Sequence, residues 1–320
     1  METVRRLNRI DGRADHGQIG DMGLGVALEA AGRWLAVLCA GALVLAAAGA
    51  SMAGPIQSRF FTASDGVRLH YLEAGPTDAP TLVLVPGWTM PAWIWDRQIQ
   101  AFSGARHVVA FDPRGQGESE IAAAGYEPGR RGQDIGELIQ QLGPQPVVIV
   151  GWSLGVLDAL AYVKSAGEDH IAGLVLVDNS VGEDPRPAPA PGAHSRPGKR
   201  IPRAVFVRGM FRTVQDPAFL RRLTQASLRM PEPAARALRA YPWPRTAWRE
   251  ALHSVRRPVL YVVRPHLDAQ ARNLVATDPF AESVLFPQAG HALFIDEPER
   301  FDAVVSDFLT RRVWPAAAAP

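Results

Sequence analysis

One serine, one histidine and two aspartates stand where they could together perform nucleophilic chemistry. Ser153 lies in the middle of Gly151-Trp152-Ser153-Leu154-Gly155. A serine hydroxyl is a poor nucleophile until a base removes its proton. His291 is the candidate base, because it follows a glycine in the loop after the last predicted strand. Such a base needs an acid to fix its tautomer, and we expect Asp268 to be that acid, with Asp178 as its rival.

The segments on either side of Ser153 predict how the serine is presented. Residues 146–150 form a short β-branched run that is typical of a buried strand, and residues 156–163 carry apolar side chains at helical spacing. A strand, a Gly-x-Ser-x-Gly turn and a helix together form the context of a nucleophile elbow. We therefore expect the hydroxyl to project from the edge of a sheet, with the N-terminus of the helix directed at the reaction centre.

Ester chemistry at a serine also requires two N–H donors for the oxyanion. The backbone N–H of Leu154 directly follows the nucleophile, and the loop after residues 81–85 offers that of Trp88. Tryptophans also cluster near this locus, which suggests an apolar acyl pocket, although packing in the core is the more frequent role of aromatic residues. The predicted pocket residues beside Trp88 are Trp93, Trp95 and Trp152.

The wider chain alternates strands with helices. Eight segments predict strands, namely 59–62, 67–72, 81–85, 107–112, 146–150, 173–178, 258–263 and 283–286. Helical patterns between them predict an α/β fold with a mostly parallel, twisted sheet covered by helices on both faces. We divide the folded part into a first core segment at 55–182, an insertion at 183–250, a second core segment at 251–312 and a disordered tail at 313–320.

The insertion is rich in proline and arginine. Residues 185–257 contain sixteen basic residues against three acidic ones, a net charge of +13 in a chain whose net charge is +2. Such a field favours contact with an anionic substrate or an anionic membrane surface. The alternative is a solvated arginine-rich face that reflects a GC-rich coding sequence. We expect the insertion to form a helical cap over the site.

Residues 1–53 have the order of a targeting leader. A polar, arginine-containing region precedes an uncharged run from Trp34 to Ala50, and Ser51-Met52-Ala53 offers small residues for cleavage. This order predicts a secretory signal peptide, which would make the protein periplasmic or secreted. An uncleaved single-pass anchor, with the domain outside the cytoplasm, is the alternative. Translation could start at Met1 or at Met22.

Composition limits the other classes of chemistry. The 320-residue chain has one cysteine, Cys39, which lies in the predicted leader. The rest of the chain therefore has no intrachain disulfide, no zinc–thiolate site and no cysteine nucleophile. We expect no metal, no organic cofactor and no nucleic-acid partner, while the oligomeric state stays open.

Taken in order, these motifs resemble the α/β-hydrolases, among the cap-bearing esterases and the non-haem haloperoxidase-like perhydrolases. The resemblance covers about residues 58–312 and depends on motifs at 86–88, 112–119, 151–155, 268, 290–291 and 296–299. Ser153 excludes the members that use an aspartate nucleophile, which are the epoxide hydrolases and haloalkane dehalogenases. The chain departs from the family pattern at Pro86, where histidine is usual, and at Pro265, where the acid loop usually carries glycine.

The resemblance implies a serine hydrolase that cleaves a small apolar carboxylic ester through an acyl-enzyme. Perhydrolysis, C–C bond hydrolysis and acyl transfer are alternatives that use the same residues. A catalytically silent protein of the same fold, used for binding, is an alternative of another class.

Overall fold

Eight strands form a single sheet in the structure, which is a computed structural model that describes residues 54–186, 201–240 and 242–315. The strands are β1 (Gln57–Thr62), β2 (Arg68–Ala74), β3 (Thr81–Val85), β4 (His107–Asp112), β5 (Val147–Trp152), β6 (Ile171–Val177), β7 (Val259–Val263) and β8 (Ala281–Leu285). The leader, residues 187–200 of the proline-rich loop and residues 316–320 of the tail lie outside the described residues.

The order of the strands in the sheet is β1-β2-β4-β3-β5-β6-β7-β8. β1 and β2 are antiparallel to each other, and β2 is antiparallel to β4, whereas every pair from β4 to β8 is parallel. The central strands are buried along their whole length, as their unbroken apolar sequences predict. The mostly parallel sheet confirms the predicted fold class, and it brings the carboxyl ends of β5, β6 and β7 to one edge.

Ten helices accompany the sheet within the described residues. They are α1 (Asp96–Phe102), α2 (Pro128–Leu142), α3 (Leu154–Ala166), α4 (Arg203–Arg208), α5 (Pro217–Arg229), α6 (Glu232–Ala237), α7 (Arg245–His253), α8 (Asp268–Thr277), α9 (Leu293–Asp296) and α10 (Pro298–Phe308). Short 3₁₀ turns at Ala92–Trp95 and Pro265–Leu267 precede α1 and α8.

Two apolar layers enclose the sheet. One layer packs α2, α3, α7 and α8 against one face, with Leu138, Leu160, Leu252 and Leu274 among its fully buried side chains. The other layer packs α1, α9 and α10 against the opposite face, where Trp95, Phe294 and Phe301 are fully buried. Since both faces are covered, the site residues must stand at the edge of the sheet.

The segment between β6 and β7 contains four helices. Met230 directly follows α5, Ala235 lies in α6 and Leu238 directly follows α6. These three residues form a small apolar cluster with Leu154 of α3. α7 differs, because Trp248 and Leu252 join the main core layer. The predicted boundary at residue 250 therefore falls inside α7, whereas the helices that cover the site edge end before it. We call α4, α5 and α6 the cap.

None of the helices in the described ranges has both the length and the apolar character that crossing a bilayer requires. The uncharged run at 34–50 lies outside those ranges.

Candidate active site

Ser153 stands on a sharp turn between β5 and α3. Its φ of 55° and ψ of −116° place it in a region that residues with side chains rarely occupy. The two glycines of the motif permit this turn. A Cβ on Gly151 would lie 2.5 Å from the carbonyl oxygen of Gly155, and one on Gly155 would lie 2.3 Å from that of Val85. The strand–turn–helix pattern therefore has the geometry of a nucleophile elbow.

Backbone and side-chain hydrogen bonds from the neighbouring strand hold this turn. The N–H of Ser153 donates to the carbonyl oxygen of Val177 at 2.9 Å. The side-chain amide of Asn179 donates to the carbonyl oxygen of Ser153 at 2.7 Å. Asn179 is in turn fixed by Tyr261, whose hydroxyl donates to its carbonyl oxygen at 2.7 Å. The conformation of the serine thus depends on β6 and β7 as well as on its own motif.

His291 lies between Ser153 and an aspartate. Its Nε2 is 2.8 Å from Ser153 Oγ, and its Nδ1 is 2.6 Å from Oδ2 of Asp178. An ionised carboxylate only accepts hydrogen bonds, so Nδ1 must carry the proton. Nε2 is then free to accept from the serine hydroxyl. The imidazole ring is partly exposed, with 23% of the side chain accessible.

Asp178 follows the last residue of β6 and has a left-handed φ of 50°, which aspartate tolerates better than most residues. Its backbone N–H donates to Val262 at 2.9 Å, and its side chain is fully buried. Burial by itself raises the pKa of this carboxyl group. The hydrogen bond and charge of His291, together with the charge of Arg264, outweigh burial and hold the pKa below its ordinary value. Asp178 is therefore ionised at neutral pH.

The structure does not place Asp268 against His291, in contrast to the sequence-based expectation. The 3₁₀ turn at Pro265–Leu267 leads directly into α8, and Asp268 is the first residue of that helix. Its carboxylate bonds at 2.5 Å to Arg272, one turn further along the same helix. The carboxylate of Asp268 therefore pairs within its own helix, and Asp178, the alternative acid, is the aspartate that contacts His291.

Sequence reasoning gave no role to Arg264, which lies against the same aspartate. Its Nε donates to Oδ2 of Asp178 at 2.6 Å, and its backbone N–H donates to Oδ1 at 3.2 Å. Its Nη2 lies 3.5 Å from Nδ1 of His291. Asp178 directly follows β6, and Arg264 directly follows β7, the next strand along the chain. Opposite charges at two such positions are the signal that could have indicated this contact.

The loop after β3 lies directly against the nucleophile. A Cβ on Gly87 would lie 3.1 Å from Cβ of Ser153, so the backbone of this loop approaches the serine closely and leaves little room for a side chain at position 87. Gln116 holds the loop, because its side-chain oxygen accepts from the N–H of Thr89. Thr89 itself has a left-handed φ of 61°. Gln116 therefore helps to hold the loop after β3, in which this chain has Pro86 where the family usually has histidine.

The two predicted oxyanion donors are the backbone N–H groups of Leu154, which follows Ser153, and of Trp88, which lies in the loop after β3. Leu154 is the first residue of α3, where backbone N–H groups have no acceptor within the helix. Trp88 directs its indole toward the cap, where Nε1 donates to the carbonyl oxygen of Ala235 at 2.6 Å. Its ring also packs edge-on against Phe206 of α4, with 5.0 Å between ring centroids. The side chain of Trp88 thus connects the loop to the cap.

The tryptophans predicted to line an acyl pocket occupy different positions. Trp95 is fully buried and stacks on Phe294 at 3.9 Å between ring centroids, so it belongs to the core. Trp152 is also buried, and its indole N–H donates to the carbonyl oxygen of His291 at 2.8 Å. Strand alternation turns Trp152 into this layer, where it supports the histidine loop. Trp93 is half-buried and packs against Phe219 of the cap.

Asp296 connects the histidine loop to the chain beside the cap. Its carboxylate accepts from the N–H of Gly290 at 2.6 Å, which is the residue before the histidine. It also accepts from the N–H of Arg212 at 2.8 Å and from that of Thr213 at 3.1 Å. The segment between α4 and α5 and the loop that carries His291 therefore share one carboxylate.

The motif at 112–119 has a structural role. The carboxylate of Asp112 accepts from Nδ1 of His70 at 2.7 Å and from the N–H of Glu118 at 2.9 Å. Arg114, which is fully buried, makes a two-pronged pair with Asp134 at 2.6 and 2.7 Å. These bonds fix the loop from which Gln116 reaches the residues beside the nucleophile.

Across the ranges that the structure describes, no group of three or more histidine, cysteine, aspartate or glutamate side chains is arranged to hold a metal ion.

Sequence comparison identifies relatives whose names state an activity. Over 120 residues the chain is 35% identical to a bifunctional esterase/perhydrolase of Acinetobacter calcoaceticus, an alignment that covers 37% of this chain and 43% of that protein. Over 117 residues it is 33% identical to a non-heme chloroperoxidase of Streptomyces lividans, covering 36% of this chain and 42% of that protein. Each alignment thus spans less than half the length of the relative.

Solved structures share the fold over most of the chain. An esterase from Rhodococcus sp. ECU1013 superimposes with a TM-score of 0.67 at 21% identity, covering 80% of this chain and 99% of that one. A bromoperoxidase from Bacillus anthracis gives a TM-score of 0.66 at 19% identity, and the alignment covers 79% of this chain and 100% of that one. The family model described as the alpha/beta hydrolase family matches residues 82–304, a range that includes Ser153, Asp178 and His291. The chain belongs to the α/β-hydrolase family.

Proposed function

We propose that this protein is a serine hydrolase that cleaves carboxylic esters through an acyl-enzyme. One observation carries the proposal: His291 bridges Ser153 Oγ at 2.8 Å and the buried carboxylate of Asp178 at 2.6 Å. Nucleophile, base and acid therefore form a continuous hydrogen-bonded chain in the arrangement of a serine-hydrolase triad.

In the first half of the reaction, Ser153 Oγ attacks the carbonyl carbon of the ester as Nε2 of His291 takes the hydroxyl proton. Asp178, with its carboxylate on Nδ1, keeps the ring in the required tautomer and stabilises the imidazolium that forms. The backbone N–H groups of Leu154 and Trp88 are the proposed donors to the oxyanion. The tetrahedral intermediate collapses when the imidazolium returns the proton to the departing alcohol.

In the second half, a water molecule attacks the acyl group on Ser153 and gives its proton to Nε2 of His291. Collapse of the second intermediate breaks the bond to Oγ and releases the carboxylic acid, and the same proton restores the serine hydroxyl. No step needs a redox change, and each step uses a group that the site holds within hydrogen-bond distance.

Several observations favour a small apolar ester as the substrate. Leu154 packs with Ala235 of the cap and with Met230, which lies between α5 and α6, so the side of the nucleophile near its proposed oxyanion donor is apolar. The similarity to a bifunctional esterase/perhydrolase favours ester chemistry in general. We infer that the cap selects the acyl group, because its residues approach both Leu154 and Trp88.

The proposal is tested with the purified domain and a series of aryl esters of increasing chain length. We expect turnover and covalent labelling of one serine by a fluorophosphonate, with both lost in Ser153→Ala. The matched control is Ser165→Ala, a serine at the end of α3 that bonds only to helix carbonyls. If Ser153 is not labelled in the folded protein, the enzymatic proposal is wrong, and a binding role becomes the better explanation.

Peracid formation on the same residues is a second candidate. The similarity to a bifunctional esterase/perhydrolase and to a non-heme chloroperoxidase favours it. In that reaction hydrogen peroxide would replace water in the attack on the acyl group at Ser153. Comparison of ester hydrolysis with peracid formation from acetate and peroxide separates the two, because a pure esterase gives no peracid above the level of Ser153→Ala.

We also propose that the basic cap contacts an anionic membrane surface. Ile201, Val205 and Leu228 are exposed large apolar side chains in this region. Arg203 joins their supporting helices, since it donates to the carbonyl oxygen of Ser227 at 2.9 Å. Apolar side chains among arginines favour an anionic lipid surface. Co-sedimentation with phosphatidylglycerol vesicles, but not with phosphatidylcholine vesicles, is expected, and equal recovery with both would refute this contact.

We further propose that residues 1–53 export the domain from the cytoplasm, as their order of charged, apolar and small residues indicates. Mass spectrometry of the protein from fractionated cells tests this. A mature N-terminus after Ala53 supports a cleaved signal peptide, an intact N-terminus in the membrane fraction supports an anchor, and a cytoplasmic protein contradicts both.

A further inference from the structure

We propose that Arg264 is a positioning residue of this site, which holds the carboxylate of Asp178 in line with His291 and balances its charge while the imidazole is neutral. This inference rests on the proposed function. Arg264 follows the last residue of β7, and Asp178 follows the last residue of β6, so the parallel pairing of these strands brings the two residues together.

The first argument is geometric. Arg264 donates to both oxygens of Asp178, from its backbone N–H at 3.2 Å and from Nε at 2.6 Å. Two donors from one residue fix both the position and the rotation of a carboxylate. The left-handed backbone of Asp178 adds a need for such support, because its φ of 50° is an uncommon conformation. Arg264 thus sets the direction in which Oδ2 meets the imidazole.

The second argument concerns charge. The side chain of Asp178 is fully buried, and an isolated buried carboxylate is costly. In the resting state His291 must be neutral in order to accept the serine proton, so the imidazole then gives no balancing charge. The Arg264 guanidinium, 2.6 Å from Oδ2, is the permanent cation at this carboxylate. It allows Asp178 to stay ionised without a proton on Nε2 of His291.

The same guanidinium opposes premature protonation of the base. Nη2 lies 3.5 Å from Nδ1 of His291, so a positive charge on the ring would face a positive charge on the arginine. Arg264 and His291 also share one acceptor, because both bond to Oδ2 of Asp178. Because the acceptor is shared, Asp178 attracts an imidazolium less strongly than it would without Arg264.

Two further titratable groups face the carboxylate from the elements packed against it. Burial lowers the pKa of His266, on the turn after β7, so this ring is neutral near pH 7. Burial and the charge of Asp178 raise the pKa of Tyr261, within β7, well above its ordinary value. Neither group therefore replaces the charge of Arg264 in the neutral range.

The test is the pH dependence of kcat/KM for an aryl ester in Arg264→Met and Arg264→Lys. In Arg264→Met we expect the acidic limb to move upward by on the order of 1 pH unit. Arg264→Lys keeps the charge and the backbone donor but replaces the rigid, planar guanidinium with a flexible ammonium group, so its limb should stay near that of the wild type while kcat falls. Arg272→Met is the matched control, because it removes an exposed arginine from Asp268 only.

If the acidic limb of the pH profile of kcat/KM is unchanged in Arg264→Met, the inference is wrong and Arg264 has a structural role only. Arg264→Gln gives the same comparison if the methionine variant does not fold. A second readout needs no turnover: in ¹⁵N-histidine spectra, assigned with His291→Asn, the pH at which the His291 signals change should rise in Arg264→Met. If the wild type neither labels nor hydrolyses esters, the proposed function fails, while this spectrum still decides the role of Arg264.

Discussion

Replacement of Asp178 by asparagine removes the negative charge that would stabilise a protonated His291 and leaves the size of the side chain unchanged. The carboxylate lies 2.6 Å from Nδ1 and is fully buried, so solvent screens the interaction poorly. With charge centres about 4 Å apart and an effective dielectric constant of about 20, the attraction is worth about 4 kcal/mol. Since about 1.4 kcal/mol corresponds to a tenfold change in rate, we expect kcat to fall about 10³-fold.

The paired variant is Asp268→Asn. Asp268 bonds to Arg272, whose side chain is 72% exposed, and such surface pairs contribute little to stability. We therefore expect kcat within about twofold of the wild type for this variant. Both variants replace an aspartate with an asparagine and differ only in the position that is changed. Comparison of their rates therefore isolates the effect of the contact with His291.

The assay is single-turnover acylation of Ser153 by an aryl ester, with circular dichroism and thermal unfolding to establish that each variant is folded. Acylation measures the step in which the imidazole becomes charged, so it is the step that Asp178 should affect most. A normal acylation rate in folded Asp178→Asn, or a 10³-fold loss in Asp268→Asn, would refute the assignment of Asp178 as the acid.

Three further predictions concern the elements around the site. Burial raises the pKa of Asp158 to about 6, so the wild type should lose stability as the pH rises from about 4 to 6. Asp158→Asn does not titrate at this position. Its free energy of unfolding, relative to that of the wild type, should therefore increase by about 3 kcal/mol over the same pH range. Asp296→Asn should lower kcat/KM about tenfold and speed amide exchange in the histidine loop, whereas the exposed control Glu299→Gln should do neither. Gly155→Ala should destabilise the fold by more than about 3 kcal/mol, because its Cβ would lie 2.3 Å from the Val85 carbonyl oxygen.

Each of these three has a contrary result. A free-energy difference between Asp158→Asn and the wild type that does not change with pH would mean that the carboxyl group titrates near its ordinary value in the fold. Normal exchange and normal kcat/KM in Asp296→Asn would show that this carboxylate does not position the histidine loop. A wild-type unfolding temperature for Gly155→Ala would contradict the close approach of α3 to β3.

Local sequence patterns were enough to predict most of the fold. Eight apolar or alternating segments predicted the eight strands, and helical periodicity between them predicted a mostly parallel sheet. The Gly-x-Ser-x-Gly turn was equally local, because glycine is required where an added Cβ would lie within about 2.5 Å of a backbone oxygen. Ser153 and His291 could be selected for the same reason, since each follows a strand in a recognisable turn.

The acid could not be chosen in this way. Asp178 and Asp268 both follow strands, and their sequences do not say which carboxylate meets the imidazole. The helix that starts at Asp268 turns its side chain toward Arg272, a contact four residues away, whereas Asp178 is held by pairing between β6 and β7. The positions of Trp95 and Trp152 in the core could not be predicted for a related reason. An aromatic residue beside a nucleophile can face the site or the core, and strand alternation sent Trp152 into the core.

The sequence by itself thus determined the succession of strands and helices along the chain, the elbow and the histidine that follows the last strand, because those features depend on residues close together in the chain. Only the tertiary structure decided that Asp178 is the aspartate that meets His291, that Arg264 shares its carboxylate, and that Asp296 connects the histidine loop to the segment between α4 and α5. The contacts of Asp178 with His291 and Arg264, and that of Asp296 with Arg212, each join residues more than eighty positions apart. Their formation depends on the register of the sheet and on the packing of the cap, which no local pattern encodes.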